Sequence, residues 1–296
     1  MSNMVEFKNI NLNNVQERFI DYLDVNELTI KSYKEGIRHF IDYLEENNIK
    51  QPTRIDFRNF RDSLKDKVQT NTINSYLTAN RGFFRYLEAN GIYPNITNDV
   101  KSIRTSNIPK KQVLSQEECK QIYNSLTDKR EKCLFLLCVS TGLRGIEISR
   151  AKIEDIKEYN GEVVLWVQQK KHDSKDFYVK LSDQVLKGIK EYIEQRTDGY
   201  IFVSTSNHNN GGGVTTTTIR RIMKSILKRF GYDEDYFSLH STRRTFATLA
   251  YVNDVDIYSI QQVLGHHSIS TTQRYINQVV RDKNETEKIV SNLIFE

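Results

Sequence analysis

The chain has 296 residues, a hydrophobic share of 38%, three cysteines and a formal net charge of +5, with a mean hydropathy of −0.59 and a pI near 8.9. That length supports two domains, and a membrane span is excluded because no run approaches the ~20 apolar residues it needs; Cys133–Val139 is the longest. No basic-then-apolar signal peptide opens the chain, and Cys119, Cys133 and Cys138 lack CxxC spacing, so reduced thiols and a cytoplasmic location are expected.

In chain order, Thr29–Leu44 has helical period. Tyr33, Ile37, Phe40, Ile41 and Leu44 share one face, and Lys31, Lys34 and Arg38 the other. Arg54–Lys65 reads as a shorter helix. Asn71–Leu87 sets Ile73, Tyr76, Leu77, Phe83, Phe84 and Leu87 against Asn74, Thr78, Arg81 and Arg85, and Gly91 and Pro94 stop it. These segments predict a small helical bundle. Residues from about 95 to 111 read as a linker. Between Val100 and Val113 it carries Lys101, Arg104, Lys110 and Lys111 without an acid. Ser115 with Glu118 forms a capping box, so the expected domains are 1–111 and 112–296.

In the second domain, Arg130–Thr141 predicts a buried apolar helix that delivers Arg144, with helix continuing through Arg150. Val163–Gln168 and Phe177–Leu181 are extended, and the polar Gln169–Asp176 between them makes a hairpin. A short strand near Ile153–Ile156 completes the sheet. Ser182 caps a helix to about Gln195. Asn207–Gly213 is a loop. Thr218–Phe230 is amphipathic, with Ile219, Ile222, Met223, Ile226, Leu227 and Phe230 inward and Arg220, Lys224 and Lys228 outward. Val214–Tyr232 also lacks acids, and local basic stretches outweigh net charge when the partner is a polyanion. The expected class is mainly α with a small antiparallel sheet.

Three short motifs carry the chemistry. They are Thr141-Gly142-Leu143-Arg144-Gly145-Ile146-Glu147-Ile148, Leu239-His240-Ser241-Thr242-Arg243-Arg244-Thr245-Phe246-Ala247-Thr248, and Leu264-Gly265-His266-His267-Ser268-Ile269-Ser270-Thr271-Thr272-Gln273-Arg274-Tyr275. Arginine presents a planar fork of donors that matches phosphate oxygens. Tyrosine can attack phosphorus and be held as an ester. Such an ester conserves bond energy, which suits rejoining rather than hydrolysis. Charge that develops on the phosphoryl oxygens is best met by fixed cations in a dry site.

In content, order and separation these motifs closely resemble the three boxes of the tyrosine recombinases, the phage integrase family. Asn71–Leu87 is similar to the last long helix of that family's N-terminal DNA-clamping domain, so the resemblance covers nearly the whole chain from about residue 12. It implies a two-domain C-shaped clamp on duplex DNA, with a core-DNA-binding bundle and a catalytic domain. It implies that Tyr275 attacks the scissile phosphate to give a 3′-phosphotyrosyl link, that Arg144 and Arg243 clamp the non-bridging oxygens, and that His240 and His266 add hydrogen bonds or proton transfer. A hairpin lysine would protonate the leaving 5′-oxygen. The family commonly shows Gly-Lys-Gly there, whereas this chain has Gln169-Lys170-Lys171. Lys170 is favoured, Lys171 stays open and Lys175 ranks last; a gapless count lands on His172. Arg244 stands where many relatives have His and is assigned to packing or phosphate contact. The family's glutamate at Glu147 is structural, and Glu147 could pair with Arg144.

Expected DNA contacts are Lys31, Arg81, Arg85, Arg104, Lys110, Lys111, Arg220, Lys224 and Arg244. No cofactor and no metal are expected; His172 and His208 lack ligand spacing, and His267 is read as structural. The resemblance implies a duplex partner with a specific recombination site and a homotetramer over two synapsed sites. Lys283–Glu296 carries an apolar stripe of Ile289, Val290, Leu293 and Ile294. It either docks on its own domain or, as in relatives, is exchanged between protomers. The sequence begins close to the clamping domain, so a Xer-like enzyme or a compact mobile-element integrase without an arm-binding domain is expected. The rival readings are a type IB topoisomerase-like nicking-closing enzyme and a catalytically inactive DNA-binding regulator.

Overall fold

Two units divide the chain, residues 1–106 and 107–296. The computed structural model describes residue 7 and residues 10–104, 112–170, 172–205, 210–232, 235–282 and 284–295. Lys110, Lys111, Lys171 and His208 lie outside the described residues.

The first unit is built from α1 (Leu12–Tyr22), α2 (Glu27–Glu46), α3 (Arg54–Ser63) and α4 (Thr70–Ala89). Polar caps fix where they start. Asn11 and Asn26 accept from the backbone three residues on, and Asp56 accepts from the Thr53 N–H at 2.7 Å in a capping box, so early amides are not left orphaned. The core is aromatic: Phe19, Phe40, Phe57, Phe60, Phe83 and Phe84 are all buried, and Phe40 meets Phe57 and Phe60 edge-on at 5.4 and 5.1 Å between centroids. Each such side chain contributes about 1.5–3 kcal/mol on burial. Where α2 crosses α4, the Asn80 Nδ2 donates to the carbonyls of Gly36 and Tyr76 at 2.8 and 2.9 Å. The polar side of α4 holds the chain that follows. Asn74 exchanges two 2.9 Å bonds with the backbone of Ile103, and Arg81 donates to Ser102 Oγ at 2.9 Å and Val100 O at 2.7 Å. Ile96 and Val100 are buried in the same core.

The second unit runs α5 (Gln116–Ser125), α6 (Lys129–Thr141), α7 (Gly145–Arg150), β1 (Ile156–Tyr159), β2 (Glu162–Val167), β3 (Phe177–Lys180), α8 (Asp183–Ile193), α9 (Thr216–Arg229), α10 (Leu239–Val252), α11 (Ile257–Leu264), α12 (Ile269–Asp282) and α13 (Thr286–Phe295). The strands form one antiparallel sheet in the order β1-β2-β3. Leu165 pairs with Ile156 and Val179, so the expected hairpin is present with Leu165 and Val179 facing the core. The strand expected from Ile153 starts later. Ile153–Asp155 is a 3-10 turn, because the Asp155 carboxylate turns back to accept from the Lys152 N–H at 3.1 Å. Helix α6 is the central pillar, with Leu134, Phe135, Leu137 and Cys138 fully enclosed. Helices α8, α9 and α10 pack on it. A smaller cluster, Ala247, Ile260, Leu264 and Ile276, joins α10, α11 and α12. No helix among the described residues is long and apolar enough to cross a membrane.

Candidate active site

Two glycines let the three motifs meet. Gly142 caps α6 in the left-handed conformation, φ 64°. A Cβ there would lie 2.8 Å from side-chain atoms of both Leu264 and Phe246, so only a bare backbone lets the end of α6 approach α10 and α11 this closely. Gly265 caps α11 at φ 57°. A Cβ on it would sit 2.0 Å from the Gln169 amide nitrogen. The chain reverses at each glycine and sets Arg144, two residues after Gly142, and His266, directly after Gly265, beside α10.

Arg144 is the N-cap of α7. Glu147, which is buried, accepts from the Arg144 backbone N–H at 2.7 Å and from its Nη1 at 2.9 Å. The Arg144 Nη2 reaches the Gly265 carbonyl at 3.4 Å. Arg243 projects inward from α10 with 2% exposure. Its Nη1 donates to Gly142 O at 2.5 Å and its Nη2 to Leu264 O. The two guanidinium groups thus brace the backbone corners that the glycines create. Helix α12 then carries Tyr275 to the same place. The Tyr275 hydroxyl lies 2.9 Å from His240 Nε2, and the rings of His240 and His266 stand edge-on to it at 5.3 and 5.1 Å. His266 is fixed in turn: its Nδ1 meets Thr272 Oγ1 at 2.9 Å, and Gln261 Nε2 donates to its carbonyl at 2.8 Å.

Burial and the neighbouring cations decide the charge states. Burial, then the charges of Arg243, Arg244 and Arg144, push His240 down to about 4, although the residue as a whole remains exposed. Burial, Arg243, Arg144 and His240 push His266 down to about 3. Both imidazoles are therefore neutral at pH 7, and His240 Nε2 can accept a proton from the hydroxyl it faces. Burial brings Arg243 down to about 10, which leaves it charged at neutral pH. The site also holds polar groups with no partner among the described residues: Arg243 Nε, Arg244 Nε and Nη1, and Gln169 Nε2. Buried donors in this condition favour an oxyanion with several acceptor oxygens.

Five expected residues, Arg144, His240, Arg243, His266 and Tyr275, come together within one protomer. Lys170 does not join them through any hydrogen bond; it is exposed in the β2–β3 connection. Its neighbour Gln169 rests against Gly265, which brings that connection to the edge of the site. Lys175 is committed elsewhere, 2.6 Å from Asp155 Oδ2, and His172 Nδ1 faces Asp176 at 3.3 Å. Among the expected DNA contacts, Lys31, Arg85, Arg104, Arg220 and Lys224 are exposed. Arg81 is bonded to residues 100 and 102, and Arg244 is turned inward with 7% exposure. Gln169 and Thr272 are site residues that the motif reading passed over. Gln169 directly precedes the favoured lysine, and Thr272 lies inside the third motif, so position alone could have marked them. Among the described residues no cluster of three His, Cys, Asp or Glu side chains gathers as a metal cage.

The family model described as the phage integrase family matches residues 112–281, and that of the phage integrase N-terminal SAM-like domain matches residues 17–91. The chain is 32% identical over 208 residues to tyrosine recombinase XerA of Pyrococcus furiosus, spanning 67% of this chain and 70% of that protein. It is 24% identical over 280 residues to tyrosine recombinase XerD of Staphylococcus epidermidis, spanning 89% and 94%. Among solved structures, lambda integrase bound to DNA superposes with a TM-score of 0.72 at 19% identity, over 94% of this chain and 100% of that one, which establishes a shared fold.

Proposed function

The chain belongs to the phage integrase family of tyrosine recombinases, enzymes of site-specific DNA strand exchange, and from that premise we propose that Tyr275 cuts and rejoins duplex DNA through a 3′-phosphotyrosyl intermediate. The Tyr275 Oη–phosphorus bond forms as the phosphorus–O5′ bond breaks. The phenolic proton passes to His240 Nε2, and Lys170 Nζ protonates the departing O5′. Arg144 and Arg243 hold the non-bridging oxygens, and His266 donates to one of them. Religation runs the same steps backwards with a 5′-hydroxyl as nucleophile. Guanidinium groups meet the phosphate charge, so these steps call on no cofactor; losing one such donor typically costs about 10²–10³ in rate. The observation that carries this reading is the 2.9 Å approach of the Tyr275 hydroxyl to a neutral His240 beside two braced arginines.

The partner in this reading is duplex DNA carrying a specific recombination site. Residues 1–111 form a core-DNA-binding domain, with Lys31, Arg85 and Arg104 on the backbone, and residues 112–296 form the catalytic domain, with Arg220 and Lys224 on the backbone. The active assembly is a homotetramer over two sites, and the enzyme works in the cytoplasm. Helix α13 buries none of its residues, and Ile289, Leu293 and Ile294 are 58%, 81% and 65% exposed. Such a stripe supports exchange of the tail between protomers.

A nicked suicide duplex carrying the mapped site tests the reading. The wild type is expected to become covalently attached, and Tyr275→Phe is expected to give no adduct. An adduct that survives in the Phe variant removes Tyr275 from the chemistry. No wild-type adduct on a bound, correct site favours a regulator that only binds, and site-independent relaxation of supercoils by a monomer favours a topoisomerase.

A further inference from the structure

Several observations meet at Arg244. It is 7% exposed, and its Nε and Nη1 have no partner among the described residues. It lies on α10 one turn after His240 and one turn before Thr248, so these three side chains share one stripe. Both neighbours touch Tyr275. His240 Nε2 is 2.9 Å from its hydroxyl, and Thr248 Oγ1 is 3.5 Å from its carbonyl oxygen. The tyrosine is anchored at its two ends to this stripe, and the residue between the anchors is Arg244.

The other two arginines are occupied differently. Arg144 is bonded to Glu147 and Gly265, and Arg243 to Gly142 and Leu264. No acid pairs with Arg244 among the described residues. A buried guanidinium with two unpaired nitrogens is costly to keep unless an anion meets it. The anion this location offers is the phosphotyrosyl linkage itself.

Resting on the strand-transfer reading above, we infer that Arg244 is a further catalytic residue whose free N–H groups hold the oxygen that joins Tyr275 to phosphorus. In cleavage the Oη–phosphorus bond forms, the phosphorus–O5′ bond breaks, His240 takes the phenolic proton and Lys170 supplies one to O5′. In religation the phosphorus–O5′ bond re-forms as the Oη–phosphorus bond breaks, Lys170 takes the proton of the attacking 5′-hydroxyl and His240 returns its proton to the phenolate. The phenolic oxygen carries negative charge in the transition state in both directions, and Arg244 meets that charge. This leaves the non-bridging oxygens to Arg144 and Arg243, and the leaving oxygen to Lys170. The Arg244 charge also helps keep the His240 ring neutral, so that its Nε2 stays open to the hydroxyl it faces.

The test is single-turnover trapping on a nicked duplex with the mapped site, using wild type, Arg244→Met and Arg244→Lys. A second duplex carries sulfur in place of the bridging O5′, because a thiolate leaves without a proton donor. Arg244→Met is expected to melt at or above the wild-type temperature, since it removes an unpaired buried charge. It is expected to bind duplex nearly as well, and to trap about 10²–10³-fold more slowly on both substrates. Arg244→Lys should fall between the two proteins. Lys170→Ala, by contrast, should be slow on the oxygen substrate alone. Three results would overturn the inference: Arg244→Met melting well below wild type, which makes the residue structural; trapping at the wild-type rate; or a defect that disappears on the sulfur substrate, which moves Arg244 to the leaving side. A wild type that fails to trap on the mapped site overturns the strand-transfer reading, and this inference with it.

Discussion

The helical unit at residues 1–106 and the junction of α10, α11 and α12 both bury polar side chains, and they use them in opposite ways. In the helical unit the donors are engaged. Both N–H groups of Asn80 Nδ2 meet carbonyls, and Arg81 is bonded to Val100 and Ser102. The core around them is a continuous set of aromatic rings. At the junction the apolar cluster is small, four fully buried residues, and Arg243, Arg244 and Gln169 keep N–H groups without partners. The first region engages these donors as it folds, although the Asn80 Oδ1 acceptor stays without a partner among the described residues. The second leaves donors where an oxyanion can complete them, which follows from catalysis requiring stronger interactions in the transition state than in the resting protein.

The sharpest way to break this contrast is Arg243→Ala. Arg243 does both jobs, bracing two carbonyls while offering Nε to a ligand. The variant is expected to trap DNA roughly 10²–10³-fold more slowly and to lose about 2–4 kcal/mol of stability, because the carbonyls of Gly142 and Leu264 lose their donors. Trapping kinetics and chemical denaturation check the two halves. A slow variant of unchanged stability would show that the bracing bonds are ornamental. Gly265→Ala comes next. The left-handed backbone costs a non-glycine residue about 1–2 kcal/mol, and the new methyl would displace the Gln169 amide. Trapping should fall by up to about 10²-fold, since small misplacements at a reacting centre have effects of that size. If trapping holds while stability drops, Gln169 has no part in holding the β2–β3 connection at the site.

A smaller effect is expected from pH. A free histidine titrates near pH 6.5, and His240 and His266 are held near 4 and 3 in the folded chain. Well above pH 6.5, from about pH 7.5, neither state binds these protons, and the two rings do not affect stability. As pH falls below that value the unfolded chain takes up protons that the folded chain refuses, so stability declines. The slope between about pH 6.5 and 5, before most carboxylates titrate, isolates the histidines. His266→Gln should make that slope shallower, whereas Asn80→Ala should lower stability at every pH by about 1 kcal/mol and leave the slope alone. An identical slope in the His266 variant would mean that its ring is not excluded from protonation.

What was legible in the sequence follows from the distance over which each feature is encoded. The motifs that hold Arg144, His240, Arg243, His266 and Tyr275 are local strings, and their convergence could be expected from family resemblance. Helix period over Thr29–Leu44 and Asn71–Leu87 gave α2 and α4 almost to their ends. The start of β1 could not be read so well, because the turn before it depends on Asp155 folding back to Lys152. The Asn160-Gly161 pair at the β1–β2 turn, with both residues at positive φ, is a hairpin signal that the motif reading passed over. Gln169 and Arg244 were hidden for a different reason. An unpaired donor is defined by everything that fails to reach it, which no linear spacing reports. The inward turn of Arg244 in particular depends on α12 covering its stripe.

Arg81 and Arg85 give the finest version of the comparison, and the smallest expected effect. The two stand one turn apart on the polar face of α4, and sequence alone marks both as DNA contacts. Arg81 already donates to Ser102 Oγ and Val100 O, and burial lowers its pKa, so reaching a phosphate would mean surrendering bonds it has. Arg85 makes one 3.3 Å bond to the Arg81 carbonyl and is otherwise exposed, so a phosphate can take its guanidinium at little cost. Each phosphate contact contributes about 0.9 to the slope of log affinity against log salt on B-form DNA. Arg85→Ala should therefore reduce that slope by about one unit, whereas Arg81→Ala should leave it unchanged and lower stability by about 1 kcal/mol. Equal slope losses in the two variants would mean that Arg81 releases residues 100–102 when DNA arrives, and that the donors of the helical unit are less settled than those of the free protein.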